Sequence, residues 1–188
     1  MNWIAKRRRD RRRRRMARGA AAGVLLLILA GAVGGFLPAE YASRAELVVV
    51  LPPESIWRVL TDLDGMPRWR SDLTALERLP DLAGRPAWRE VGRSGTNVVE
   101  LSVADAPHRM VIRRTRDGRP GLPERTFDLE AAPAGTRVTL TERSEIRNPF
   151  GRLLARLGVA RAPVTRMLRD LDERIGTSRR QVAAEPGN

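Results

Sequence analysis

The chain has 188 residues, 35 of them Lys or Arg against 22 Asp or Glu, with one His, no Cys and a net charge of +13. Without cysteine there is no disulfide framework, thiolate nucleophile or Cys-based metal site, and a single histidine excludes any site that needs two His ligands; no cofactor is expected. The length suffices for one domain of ordinary size with its own core.

The charge is concentrated at the start. Residues 1–18 contain ten basic residues and one acid, 10 − 1 = +9, so the rest of the chain carries only 25 − 21 = +4. The run "KRRRDRRRRRMARG" is followed at once by 19–39, "GAAAGVLLLILAGAVGGFLPA", which has no charge. As a helix those residues would span about 31 Å, the thickness of a hydrocarbon core of ~30 Å. Arginine directly before such a run reads as the cytoplasmic flank of a membrane helix, with residues from Glu40 onward outside. The same charges attract anionic lipid headgroups. Nucleic acid is the poorer reading, because the tail has no aromatic residues interleaved for base stacking. Ala30-Gly31-Ala32 fits a signal-cleavage pattern, but the uncharged run continues through Val33, Phe36 and Leu37. An uncleaved single-pass anchor in the cytoplasmic membrane is expected, with the globular part outside.

The elements after the anchor alternate in type. "RAELVVVL", 44–51, is a strand stopped by Pro52-Pro53. "PESIWRVLTDL" has Ile56, Trp57, Leu60 and Leu63 at helical spacing, with Pro53 suited to a first turn. "DGMPRW" reads as a turn or short second helix. Strands follow at "SDLTALERL", "PAWREVG", "TNVVELSVAD", "HRMVIRRT", "RTFDLEAA" and "TRVTLTERSEI", punctuated by Gly and Pro. Short strands without intervening helices argue an antiparallel meander. From Asn148 to Ile175 the residues Phe150, Leu153, Leu154, Leu157, Val164, Met167, Leu168, Leu171 and Ile175 form one helical stripe. Pro163 should kink or split that helix. Residues 179–188 are expected to be a disordered tail.

The order "VVVLPPESIWRVLTDLDGMPRWRSDL", "GRPAWREVG", "APHRMVIRR", "AAPAGTRVTLTERSEIRNPFGRLLARL" and a terminal amphipathic helix resembles the START-like, polyketide-cyclase/SRPBCC superfamily. The resemblance covers about 44–176, within a START-like domain placed at 40–178. It implies an α+β helix-grip fold, a curved antiparallel sheet around a long C-terminal helix, and a cavity for lipids, sterols, quinones or aromatic polyketides. "TRDGRPGLPERTF" departs from the pattern in lacking an aromatic-rich hairpin.

Alternation along the strands nominates cavity-lining residues. Trp88, Leu101, Ile112, Phe127 and Leu140 fall on the faces expected to look inward, and the stripe supplies Leu154, Leu157, Val164 and Leu168. Continuing the same faces reaches Arg114, Glu142 and Ser144, polar residues able to orient a ligand or to emerge into water as a rim pair. Trp57 and Trp69 read as core, and His108 as a solvated strand-end residue. Three functions stay open: an anchored module binding a hydrophobic or amphipathic small molecule; a cyclase-like enzyme using a pocket carboxylate; and a non-catalytic, membrane-tethered interaction protein. The absence of a His/Asp or metal constellation leans away from catalysis.

Overall fold

The computed structural model describes the backbone of residues 3–93, 95–116 and 119–184, and the side chains of 16, 18–93, 95–115, 123–159 and 161–176. In chain order the elements are α1 (Trp3–Phe36), β1 (Glu40–Val49), α2 (Pro53–Thr61), α3 (Met66–Trp69), β2 (Leu73–Leu82), β3 (Arg85–Gly92), β4 (Gly95–Asp105), β5 (Arg109–Arg116), β6 (Arg119–Ala132), β7 (Gly135–Glu145), α4 (Pro149–Arg156), a 3₁₀ turn (Val159–Arg161) and α5 (Ala162–Ala184). They form two compact units: residues 1–39 with 146–157, and residues 40–145 with 158–188.

In the first unit α1 is one uninterrupted helix of 34 residues. Its stretch Arg18–Phe36 is long and apolar enough to cross a membrane, with a mean hydropathy of 2.1. The helical backbone begins at Trp3, inside the segment read as a tail, and stops at Phe36, three residues short of the expected end of the anchor. α4 packs on the C-terminal part of α1. It starts as its sequence dictates: the Asn148 side chain accepts a hydrogen bond from Phe150 N, and Pro149 occupies the first turn.

The second unit is an α+β helix-grip arrangement. Seven antiparallel strands run in the order β1-β7-β6-β5-β4-β3-β2. Each strand from β2 to β7 pairs with its neighbour in sequence, and β1 joins the far side of β7. The β6–β7 hairpin turns at Gly135, whose φ of 130° is closed to side chains and whose missing Cβ would lie 2.2 Å from the Val49 carbonyl oxygen. One sheet face carries Leu47, Val49, Trp88, Val99, Leu101, Met110, Ile112, Phe127, Leu129, Val138 and Leu140. Register places these residues opposite one another, as Phe127 faces Leu140 and Leu129 faces Val138. Ile56 and Leu60 of α2 and Val164, Met167, Leu168, Leu171 and Ile175 of α5 complete one apolar core with them. Trp57 packs half-buried against this core, and Trp69 lies within it.

The expected helix over 148–175 is two helices. The break falls at Gly158, with φ of 89°, rather than at Pro163. A left-handed residue after a helix end is the common stop signal. Pro163 then sits in the first turn of α5, where its missing N–H costs nothing. α5 runs to Ala184, past the expected boundary at 178; residues 185–188 lie outside the described residues.

Candidate functional site

Among the described residues, two pockets on the apolar face of the sheet stand out. The roomier, about 200 Å³, is lined by Leu60, Thr61 and Leu63 from the end of α2 and the residues after it, Arg78 from β2, Pro86 and Trp88 from β3, Leu101 from β4 and Met110 from β5. Leu60, Trp88 and Met110 are almost wholly buried, so the pocket floor is apolar and rigidly packed. Its polar groups sit at the edge. The Thr61 hydroxyl donates to Trp57 O at 2.9 Å, and Arg78 pairs at 3.3 Å with Asp64, both of them exposed.

The second pocket is about 20 Å³, room for roughly one water molecule. It is lined by Glu90, Asn97, Val99, Ile112, Arg114, Pro123 and Arg125. Beside it runs a chain of ion pairs. Arg70, at the end of α3, donates to Asp72 at 2.8 Å and to Glu90 at 2.5 Å. Arg125 lies 3.6 Å from Glu90 and donates to Glu142 at 2.7 Å. Glu90 also accepts from the Trp88 indole N–H at 3.4 Å, which ties the network to the floor of the larger pocket.

The electrostatics of the network follow from its burial. The Arg70 side chain is 1% exposed. Burial alone would disfavour its charge, but hydrogen bonds to Asp72 and the field and hydrogen bond of Glu90 outweigh it, so the guanidinium is held above its ordinary value. Burial likewise opposes ionisation of Asp72. The hydrogen bond and charge of Arg70 overcome it and hold the carboxyl below the usual carboxylate value. Three carboxylates and two guanidiniums give the network a formal net charge of 2 − 3 = −1, and Arg114 lines the pocket beside it.

The residues nominated from sequence separate into four groups. Trp88 and Leu101 line the larger pocket. Ile112 and Arg114 line the smaller, and Glu142 stands next to it as the partner of Arg125. Phe127, Leu140, Val164 and Leu168 are buried in the core, while Ser144 is half-buried opposite Tyr41. Leu154 and Leu157 belong to the other unit, on α4 and just after it, and are 50% and 73% exposed. No described α5 residue lines either of these pockets. The inward residues of α5 belong to the apolar core.

Arg70, Glu90 and Arg125 are not among the residues the sequence reading selects. Their signal was available: Glu90 is two residues beyond Trp88, and Arg125 two residues before Phe127. Following the strand faces outward, the step that reaches Arg114 and Glu142, reaches them too. Arg70 sits inside the Trp69-Arg70-Ser71-Asp72 stretch that carries much of the family resemblance. Among the described residues no group of three or more His, Cys, Asp or Glu is placed to hold a metal ion.

Comparison with known proteins agrees with this architecture. The protein TTHA0849 from Thermus thermophilus is 26% identical and superposes with a TM-score of 0.60, over 73% of this chain and 99% of that one. The Zhui aromatase/cyclase from Streptomyces sp. R1128 shares the fold at 17% identity and a TM-score of 0.61, over 79% of this chain and 99% of that one. The di-domain aromatase/cyclase StfQ of the steffimycin pathway matches at 14% identity and 0.57, over 74% of this chain and 52% of that one. No curated protein matches the sequence at a significant level. The family model described as polyketide cyclase/dehydrase and lipid transport matches residues 42–176. That span takes in nearly the whole sheet, both pockets and the core-packing part of α5, and the chain therefore belongs to the polyketide cyclase/dehydrase and lipid-transport family of SRPBCC-type domains.

Proposed function

We propose that this protein is a membrane-anchored SRPBCC-type domain that binds a hydrophobic or amphipathic small molecule, such as a lipid, a quinone or a polyketide-like ring system. The observation that carries the reading is the apolar pocket of about 200 Å³ between the end of α2 and strands β2 to β5. Its volume is below the ~300–1,000 Å³ typical of pockets that enclose a drug-sized ligand. It therefore takes one ring or a short acyl segment, with Arg78 and Thr61 at the edge to meet a polar end. A residue at Leu101 touches such a guest directly.

The anchor belongs to the same proposal. Val24, Leu25, Leu26, Leu27, Ile28 and Leu29 are each 51–67% exposed on α1, an apolar surface that a bilayer would cover. The arginines of 1–18 favour an inside N-terminus in the cytoplasmic membrane and contact with anionic headgroups. The 40–178 domain would then face outward, beside a reservoir of apolar ligand.

A second reading, a cyclase-like enzyme, is favoured by Glu90 on the wall of the smaller pocket. Glu90 and Glu142 are already engaged by Arg70 and Arg125, however, which is the arrangement of an ion-pair network. A purely interacting, tethered protein would leave the larger pocket without a role.

The test is native mass spectrometry and lipid extraction of the full chain in mild detergent, with a fluorescent fatty acid and a quinone analogue as probes. Leu101→Trp should fill the pocket and abolish co-purification or probe uptake while the unfolding midpoint is kept. Equal binding by both forms, or no uptake by the native chain, would overturn the reading.

A further inference from the structure

The exposed apolar surface of α1 does not end with α1. Phe150, Leu154 and Leu157 are 42%, 50% and 73% exposed. With the half-buried Leu153 they occupy positions i, i+3, i+4 and i+7, one face of α4 and the residue that caps it. No large apolar residue of the 146–157 segment other than Ile146 lies off this face.

α4 is fastened to the last turns of α1 in three ways. The Phe150 ring is 3.4 Å from where a Cβ on Gly31 would be. A Cβ on Gly34 would lie 2.1 Å from the Pro149 carbonyl oxygen, so the two backbones touch where only glycine allows it. Arg152 donates to Gly35 O at 3.3 Å and to Leu37 O at 3.2 Å, a cation on the unsatisfied carbonyls of a helix end.

These contacts set a depth. Gly31 is five residues before Phe36, or about 7.5 Å down the helix axis at 1.5 Å per residue. Interfacial amphipathic helices bury their apolar face ~5–10 Å below the headgroup boundary. The charges suit the same place: Arg147, Arg152 and Arg156 are the ionisable residues of 146–157, with no acid among them. Long arginine stems reach from an apolar face up to headgroups.

We infer that α4 is a second membrane element, an interfacial helix that lies in the outer-leaflet headgroup region with Phe150, Leu154 and Leu157 among the acyl chains. The inference rests on α1 being the anchor and adds an occupant, the lipid surface, to an apolar helix face that the rest of its unit leaves uncovered. It makes the attachment two-point: a spanning helix resists extraction, and a helix lying flat beside it resists rotation about the membrane normal.

The chain has no cysteine, so single-cysteine labelling is unambiguous. Leu154→Cys, Leu157→Cys, Arg156→Cys and Leu27→Cys, each carrying an environment-sensitive fluorophore, are reconstituted as full chains in vesicles of phosphatidylcholine and phosphatidylglycerol. Doxyl-labelled lipids then serve as shallow or deep quenchers. The probes at 154 and 157 should be blue-shifted and quenched about twofold or more better by the shallow label than by the deep one, as a depth of ~5–10 Å requires. The probe at 156 should stay water-like. Water-like emission at 154 and 157 together with deep quenching at 27 overturns the inference and leaves the anchor standing. Loss of quenching at 27 overturns both. Blue-shifted probes at 154 and 157 that no lipid label quenches would mean a protein cover, such as a second copy, and would also overturn it.

Discussion

Ser71 and Asp170, 99 residues apart, are joined twice: the Ser71 backbone N–H and hydroxyl both donate to the same Asp170 carboxylate oxygen, at 2.8 and 2.7 Å. This is the polar bolt between the segment after α3 and the middle of α5. Asp170 is buried, and its neighbours Leu168 and Leu171 are core residues. Hydrogen bonds to a charged group contribute about 1.5–3 kcal/mol each. Asp170→Ala should therefore lower stability by about 3 kcal/mol, and Ser71→Ala, which keeps the backbone donor, by about half as much. Urea unfolding of the detergent-solubilised chain measures both. A double-mutant cycle without coupling would show that the pair acts independently.

Arg70 is the most deeply buried charge of the network. Its removal leaves Glu90 at 6% exposure with Arg125, 3.6 Å away, and the weak 3.4 Å bond from the Trp88 indole as compensation. Breaking a buried pair from one side costs about 3–5 kcal/mol, whereas replacing both partners by apolar groups is often near neutral. Arg70→Ala should fall at the low end of that range. Arg70→Leu combined with Glu90→Leu should recover most of the loss. If the double variant is as unstable as the single one, the network is held by more than this pair.

Asp72 makes the domain acid-sensitive in a defined window. Its folded-state value is depressed, so its contribution is complete above the unfolded carboxylate value of ~3.9 and is lost as pH falls from there through the folded value. The side chain is 37% exposed, and solvent screening limits the contribution to under about 1 kcal/mol. The stability gap between native chain and Asp72→Asn should be constant from neutral pH to about 5 and close below ~3.9. Denaturation midpoints across that range check it; a gap that persists unchanged at low pH would contradict it.

At Gly34 the backbones of α1 and α4 meet with no room for a side chain. Gly34→Val places two methyl groups against the Pro149 carbonyl, and overpacking of this kind costs about 1–3 kcal/mol. α4 should detach from α1 while the sheet unit stays intact. Limited trypsin digestion in micelles reads this directly, because Arg152 gives up its bonds to Gly35 and Leu37. Cleavage after Arg152 and Arg156 should accelerate several-fold, corresponding to about 1 kcal/mol or more, with the near-ultraviolet signal of the tryptophans unchanged.

Most of the fold was legible because its signals are local. Short segments punctuated by Gly and Pro identified six strands between α3 and α4, the Pro-led segment identified α2, and Asn148-Pro149 marked the start of α4 to the residue. The helix break was expected at Pro163 but falls at Gly158. Gly158 adopts a conformation that ends a helix, while Pro163 needed only a first turn to be harmless. The site was less legible. Alternation assigns a residue to a face, but not to empty space on that face. Phe127, Leu140, Val164 and Leu168 share the core with Trp88 and Leu101, yet of the six it is Trp88 and Leu101 that line the pocket of about 200 Å³. The Asp72–Arg70–Glu90–Arg125–Glu142 chain joins residues up to 72 positions apart, from 70 to 142, and such pairings depend on register, which the sequence does not print.

The strand order has a further consequence for how copies of the chain meet. β2 is the last strand of an open sheet, and an outermost strand offers spare backbone donors and acceptors to any similar strand nearby. Here that margin carries Glu77, Arg78 and Asp81, and Pro80 removes one donor outright. Copies of the chain that meet edge to edge would present these margins to each other. The proline and the charges disfavour strand pairing between such edges, the usual device by which an open sheet resists edge-to-edge aggregation.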